Sequence, residues 1–391
     1  MRHRVGPGAH APQEASAGPS GDEREWHVSG SARIVSGRRS ARPTRLRAGV
    51  VAAVVVLLAA CAPEAPEPLP DVTVTPTIEP ERATAPEPTI PLTWPLTGVV
   101  TEEVAQRPAV AVKIENTRFA RPQAGLEAAD VVWETIVEFE VSRLVAVFHS
   151  QMPEEIGPIR SVRPMDIPIA APLSCPIVFS GGQRGILNMV AASNLQAISH
   201  DAGADGLYRV SRRSAPHNVY GSLADFVAQA DSAHSAPPPQ QFAFALRPSL
   251  ATAAASGTAA TTLAFRLSGA SSPTWTWDAA GGRWLRAEGS TPAMAEAGGQ
   301  LSAVNVVAIT APHPASGFRA QGGASVPTYD LVGTGAGVVA TGGKYVAVTW
   351  SKASDAAPMV LTLEDGTPVT LAPGNTWVEL IPQGTGRLSI T

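Results

Sequence analysis

In Pro108–Ile114 apolar positions recur every second residue, the period of a β-strand, and Asp130–Val137 with Ser142–His149 read as the two strands of a hairpin. Ala171–Phe179 reads as a further strand that stops at Gly181 and Gly182, while Ile186–Ala192 and Gly221–Ala230 are helix-like. Three prolines, Pro237 to Pro239, then forbid regular structure. Beyond them the chain is a series of short apolar runs: Leu263–Leu267, Thr274–Trp277, Arg283–Arg286, Val304–Thr310, Tyr345–Trp350, Val360–Leu363, Val369–Leu371 and Trp377–Ile381. Asp278–Gly282 and Glu364–Thr367 supply turn chemistry between them. The alanine-rich Ala251–Ala260 reads as a loop. The pattern predicts an α+β fold: a mixed α/β N-terminal domain (92–230), a Pro-rich linker (231–242), and a smaller β-rich C-terminal domain (243–391) built as a sandwich or curved sheet.

A different pattern occupies the start. Ala48–Ala60 is uncharged and apolar, and Arg38, Arg39, Arg42, Arg45 and Arg47 precede it without an acid among them. A positive segment followed by a short apolar run and small residues is a secretory signal, since a spanning helix needs about 20 apolar residues. Leu58-Ala59-Ala60-Cys61 resembles a bacterial lipobox. That resemblance implies cleavage before Cys61, diacylglycerol on its thiol, and palmitate-type acyl chains holding the protein on the outer face of the cytoplasmic membrane. An ordinary cleaved signal with a chance cysteine is the alternative. Residues 1–33 read as a disordered leader, and Gly37–Ser40 weakly suggests twin-arginine export. Residues 62–91, rich in Pro, Glu and Thr, read as an extended tether.

Removal of residues 1–61 changes the charge balance. That segment holds 9 of 29 Lys and Arg and 4 of 33 Asp and Glu, which leaves 20 basic and 29 acidic residues, a balance of −9. An acidic exported chain is a poor partner for nucleic acid. With Cys61 assigned to the anchor, Cys175 is the other of two cysteines and reads as a buried structural thiol.

Several segments together resemble one family: Pro95–Gly98, Arg107–Asn116, Ala120–Leu126, Ala129–Glu134, Ile156–Arg163, Gly181-Gly182, and Arg213–Asn218 with Tyr220, followed by Gly333–Gly335, Trp350–Lys352 and Gly374–Trp377. The chain is similar to the YerB-like lipoproteins, a two-domain family of unknown function, over about residues 92–383. The resemblance implies a lipid-anchored surface protein without an assigned reaction. The chain departs from it at Glu138–Val141, where the family tends to have a glycine pair in the hairpin turn. It departs again at Gln183, after the double glycine, and at Thr291–Gly299.

The candidate chemistry is confined to a few polar residues. Arg160 and Arg163, three apart, would share a helix face, with Gly157-Pro158 as the helix start. They would hold a carboxylate or phosphate, or else pair with Glu134, Glu138 or Asp166. His217 and Asn218 offer a base or a hydrogen-bonding turn, Asp130 and Glu134 offer carboxylates, and Arg121 comes from a family segment. Gly181 and Gly182 permit close backbone approach or a tight turn. Five tryptophans of the second half, Trp275, Trp277, Trp284, Trp350 and Trp377, read as core or as a sugar-stacking platform. Zinc, Walker, G-x-S-x-G and S-x-x-K signatures are missing, and the sequence implies neither cofactor nor metal.

Two readings of function follow. The first is a non-enzymatic bacterial envelope protein that binds a cell-wall component or an envelope protein. The second is a cell-wall hydrolase or transferase that uses His217 with Glu134 or Asp130 beside Arg160 and Arg163.

Overall fold

The alternation in the first half forms strands β1 (Val110–Glu115), β2 (Val131–Ile136) and β3 (Ser142–Phe148), all of whose residues are buried. They belong to a computed structural model that describes residues 90–391, so the signal run, Cys61 and almost all of the proposed tether lie outside the described residues. β2 and β3 form the predicted hairpin, with Val131 opposite Val147 and Ile136 opposite Ser142. β1 lies antiparallel to β3. The predicted strand Ala171–Phe179 is strand only at its end: a short helix α1 (Asp166–Ala170) and a tight turn come first, and β4 is Pro176–Phe179. Helix α2 (Arg184–Ala191) then leads to β5 (Gln196–Ser199). β1, β4 and β5 run parallel, as a helical crossover requires.

Strands from both halves of the chain build one sheet. From β2 it continues through Thr376–Pro382, Asn305–Ala311, Gly333–Thr341, Lys344–Lys352 and Val360–Thr362. Thr376–Pro382 is parallel to β2 on one side and to Asn305–Ala311 on the other. The segments before and after the prolines therefore share their backbone hydrogen bonds. Thr262–Arg266, Pro273–Asp278, Arg283–Glu288 and Arg387–Ile390 form a second sheet with two short additional strands. The fold holds helices and strands, with strands predominating.

Both faces of the large sheet are covered, which is why its strands read as near-continuous apolar runs. Val145, Ile177, Ile309 and Trp350 pack on one face. Leu144, Ala146, Trp275, Trp284 and Trp377 pack on the other. Four of the five candidate tryptophans, Trp275, Trp284, Trp350 and Trp377, are fully buried core residues. Cys175 is also buried, and burial pushes its thiol up to about 12.

Two stretches differ from the sequence expectation. Ala251–Ala260 holds a short helix, Thr252–Ser256, and a two-residue strand rather than a loop. Gly333–Thr341 is a nine-residue strand that its glycines conceal. Gly335 is required there, because a Cβ would stand 2.6 Å from the Trp350 indole nitrogen.

Candidate functional site

The parallel strands β1, β4 and β5 end together, and a crevice outside the carboxyl ends of parallel strands is the usual ligand position in such sheets. Gly181, Gly182 and Gln183 carry the chain from β4 into the first turn of α2, whose leading amides have no intrahelical acceptors. Gln183 does not cap them with its side chain. Across this opening runs Ile156–Arg163. It is extended rather than helical: Ile156 bridges to Gly221 and Ile159 to Ile114. The Arg160 amide donates to Lys113 O at 2.7 Å, and Val162 N donates to Gly181 O at 3.0 Å. The expected helical pairing of Arg160 and Arg163 is thus corrected. Gly157-Pro158 is a cis peptide within the extended run, not a helix start.

The two arginines nevertheless meet around one cavity of about 420 Å³, together with Arg143, Arg209, Ser161, Ser180, Gly182 and Gln183. Arg163 is held as a fork: its Nε donates to Glu138 Oε2 at 2.7 Å and its Nη2 to Glu138 Oε1. Burial works against the charge of Glu138, but Arg163 and Arg143 outweigh it and hold the carboxyl below its ordinary value. The backbone of Arg163 is fixed by Asp166, whose Oδ2 accepts its amide at 2.7 Å. Asp166 in turn pairs with the buried Lys113 at 2.6 Å. Burial lowers the Lys113 ammonium to about 8.

Arg143 is the exception among these cations. It projects from β3, is 8% exposed, and donates to Ser161 O at 3.1 Å. Among the described residues it forms no ion pair. Burial and the neighbouring Arg163 push its guanidinium down to about 9, with Glu138 opposing. Arg160 Nε lies 3.2 Å from Glu115 Oε2, an ion pair without an aligned hydrogen bond. Glu115 also faces His217, with Nδ1 2.8 Å from Oε1, and the His217 ring leans on Phe119 at 5.5 Å.

The other sequence candidates are placed elsewhere or serve the scaffold. Glu134 pairs with Arg286 Nη2 at 2.6 Å and accepts from Asn116 at 3.2 Å. Asp130 accepts the amides of His149 (2.6 Å) and Ser150 (2.8 Å) and the Ser150 hydroxyl. Burial raises its carboxyl above the ordinary value. Neither acid meets His217, whose carboxylate partner is Glu115. Asn218 Oδ1 accepts from Arg209 at 2.7 Å, and Arg121 donates to Asn116 O at 3.0 Å. Gly182 lines the cavity, and Gly181 lets Asp201 close in: a Cβ there would stand 1.9 Å from Asp201 Oδ2. Sequence reasoning missed Arg143 and Glu115. Their signal was a charged residue on an otherwise apolar strand, a costly placement unless partnered.

Comparison with known proteins places this geometry in a family. Residues 96–236 match the N-terminal domain, and residues 263–378 the C-terminal domain, of a protein of unknown function, DUF3048. A Bacillus subtilis (strain 168) protein named "Putative lipoprotein YerB" is 36% identical over 140 residues, which span 35% of this chain and 41% of that protein. The crystal structure of YerB from Bacillus subtilis superposes with a TM-score of 0.65 at 24% identity, over 76% of this chain and 99% of that one. The matched segments contain β1 to β5, Arg143, Arg160, Arg163 and His217, together with the large-sheet strands from Asn305 to Thr362 and the start of Thr376–Pro382. The chain belongs to the DUF3048 family, a two-domain family of unknown function.

Proposed function

We propose that this is a lipid-anchored cell-envelope protein that binds an anionic group, carboxylate or phosphate, of a cell-wall component in the arginine-lined cavity. One observation carries the reading: Arg143 is a buried guanidinium without a carboxylate of its own, set beside Arg160 and Arg163 at an open cavity. A buried cation left in this state costs stability, and an incoming anion relieves that cost. The double glycine and the start of α2 add backbone donors to the same opening. Signal and lipobox at Cys61 supply the address, the outer face of the cytoplasmic membrane, and the name of the Bacillus relative is in keeping with it.

The test is co-sedimentation of the full chain with purified peptidoglycan. Binding that disappears in Arg143→Gln supports the reading, and binding indifferent to Arg143 overturns it. A second reading rests on the 2.8 Å contact between His217 and Glu115 beside Arg160. A histidine oriented by a carboxylate is the base of many hydrolases. Release of soluble fragments from peptidoglycan, abolished in His217→Ala, would establish it. The anchor has its own test: Cys61→Ser is expected to leave the membrane fraction and to lose its acyl mass.

A further inference from the structure

The turn between β2 and β3 carries a carboxylate into the arginine cavity, and it does so under backbone strain. Phe139 (φ 63°, ψ 23°) and Glu140 (φ 60°) both adopt the left-handed conformation, which is unfavourable for any residue with a Cβ. Phe139 does not recover this by burial, since it is 70% exposed. What the turn secures is Glu138, 5% exposed, whose two oxygens take both prongs of the Arg163 fork. On its far side Glu140 is pinned, its carbonyl accepting from Ser268 Oγ at 2.6 Å and its carboxylate from Gly269 N at 3.0 Å. The turn is also a partition. Glu138 and Phe139 line both the arginine cavity and a neighbouring one of about 530 Å³. There is open space on each side into which the turn can move.

We infer that Glu138 is an internal carboxylate seated where the ligand's carboxylate goes, so that ligand binding exchanges one carboxylate for another on the Arg163 fork, with Arg143 beside it. This rests on the anion-binding reading of the cavity. Planar fork-to-fork pairing is the geometry in which arginine recognises a carboxylate, and Glu138 displays that seat already filled. Arg143, one step along the rim, is the cation that the internal group leaves without a partner. The ligand therefore meets a free guanidinium first and a competed one second. Strain in the turn makes the departure of Glu138 cheaper than it would be from a relaxed loop.

The experiment titrates the full chain in detergent with N-acetyl-Ala-Ala, its C-terminal amide and inorganic phosphate, for wild type, Glu138→Gln and Arg143→Gln. Removal of one charge-assisted competitor is expected to tighten the free-acid dipeptide by about tenfold in Glu138→Gln. The amide binds to none of the three, and Arg143→Gln loses the acid. Glu138→Asp keeps the charge but is one methylene short of the fork, and its affinity is expected between the two; it serves if the glutamine variant folds poorly. Affinity in Glu138→Gln equal to or below wild type, with Arg143-dependent binding intact in wild type, overturns the exchange and leaves the anion site standing. Preference for phosphate over the acid in Glu138→Gln overturns the carboxylate assignment. Absence of Arg143-dependent binding in both wild type and Glu138→Gln removes the anion site itself.

Discussion

Two of the arginine–glutamate clusters among the described residues use acids of the large sheet, Glu115 in one and Glu134 with Glu379 in the other, and they are opposites. At the cavity four arginines, Arg143, Arg160, Arg163 and Arg209, stand against Glu138, Asp201 and Glu115, so that cations are in excess and the space beside them is open. In the second cluster one buried arginine, Arg286, stands among three carboxylates, with Arg121 at the edge 3.8 Å from Glu288. Its Nη2 lies 2.6 Å from Glu134 and 2.7 Å from Glu288, and Glu379 is near enough to act on its charge. Trp377 covers the guanidinium at 4.8 Å, and Trp275 donates to Glu379 at 2.8 Å. Arg286 is held above its ordinary value, because burial, which opposes its charge, is outweighed by Glu134, Glu288 and Glu379. Arg143 is pushed the other way. The same residue types thus make a sealed strut in one place and an open, cation-rich cavity in the other. The difference lies in which sign is left over and in whether space adjoins it.

Substitution of the two arginines separates the clusters most sharply. Arg286→Leu leaves Glu134 buried without a cation and Glu288 with only the more distant Arg121, 3.8 Å away, and is expected to cost about 3–5 kcal/mol, read as a fall in the urea midpoint. Arg143→Leu removes a buried charge that has no acid of its own. It is expected to leave the midpoint unchanged or slightly raised, while anion affinity falls by about 10- to 100-fold, the worth of a charged hydrogen bond. Comparable stability losses in the two variants would break the comparison.

This contrast was only partly legible in the sequence. The strands were readable as short, near-continuous apolar runs because both faces of the sheet are buried, and the family segments pointed to Arg160, Arg163 and His217, which do gather at or beside the cavity. Their three-residue spacing was misleading, because Ile156–Arg163 is extended and its amides donate to Ala124, Val219 and Gly221 as well as to β1 and the β4 exit. The partner of Glu134 stands 152 positions away at Arg286, and that of Asn116 stands 172 positions away at Glu288. No local pattern encodes pairs made by strands that meet only when two distant segments share a sheet. Arg143 and Lys113 were visible as charges inside apolar strands. Whether each was partnered depended on α1, which supplies Asp166 to Lys113 and nothing to Arg143.

Glu379 tests the sealed cluster by pH. Burial, then the neighbouring Glu134, raise its carboxyl well above the ordinary 4.5. The folded state therefore holds that proton more tightly than the unfolded chain. Its contribution is full below pH 4.5 and is lost as pH rises through the raised value. Glu379→Gln cannot titrate and retains an acceptor for Trp275. Its stability relative to wild type is expected to grow by about 1 kcal/mol for each pH unit across that window. The lowered carboxyl of Glu138, outside this cluster, slopes the other way, but it is common to both proteins and cancels in the difference. A difference that stays flat from pH 4 to pH 8 would mean that the cluster is not short of positive charge.

The smallest expected effect distinguishes the arginines of the cavity from one another. Arg160 is partly exposed and already has Glu115 at 3.2 Å, a pair that lacks an aligned hydrogen bond. Arg160 is 23% exposed and Glu115 only 2%, so the pair lies above the roughly 0–1 kcal/mol of surface pairs, but Glu115 keeps His217 at 2.8 Å. Arg160→Gln should consequently cost less stability than Arg286→Leu and weaken carboxylate binding only about two- to fivefold, against the much larger loss at Arg143. It also frees Glu115 to face His217 alone, so the residual binding should be less salt-sensitive than that of wild type, one long-range cation having gone. If Arg160→Gln matches Arg143→Gln in affinity loss, the rim of the cavity acts as a single unit. The distinction between a partnered and an unpartnered guanidinium would then carry no weight at this site.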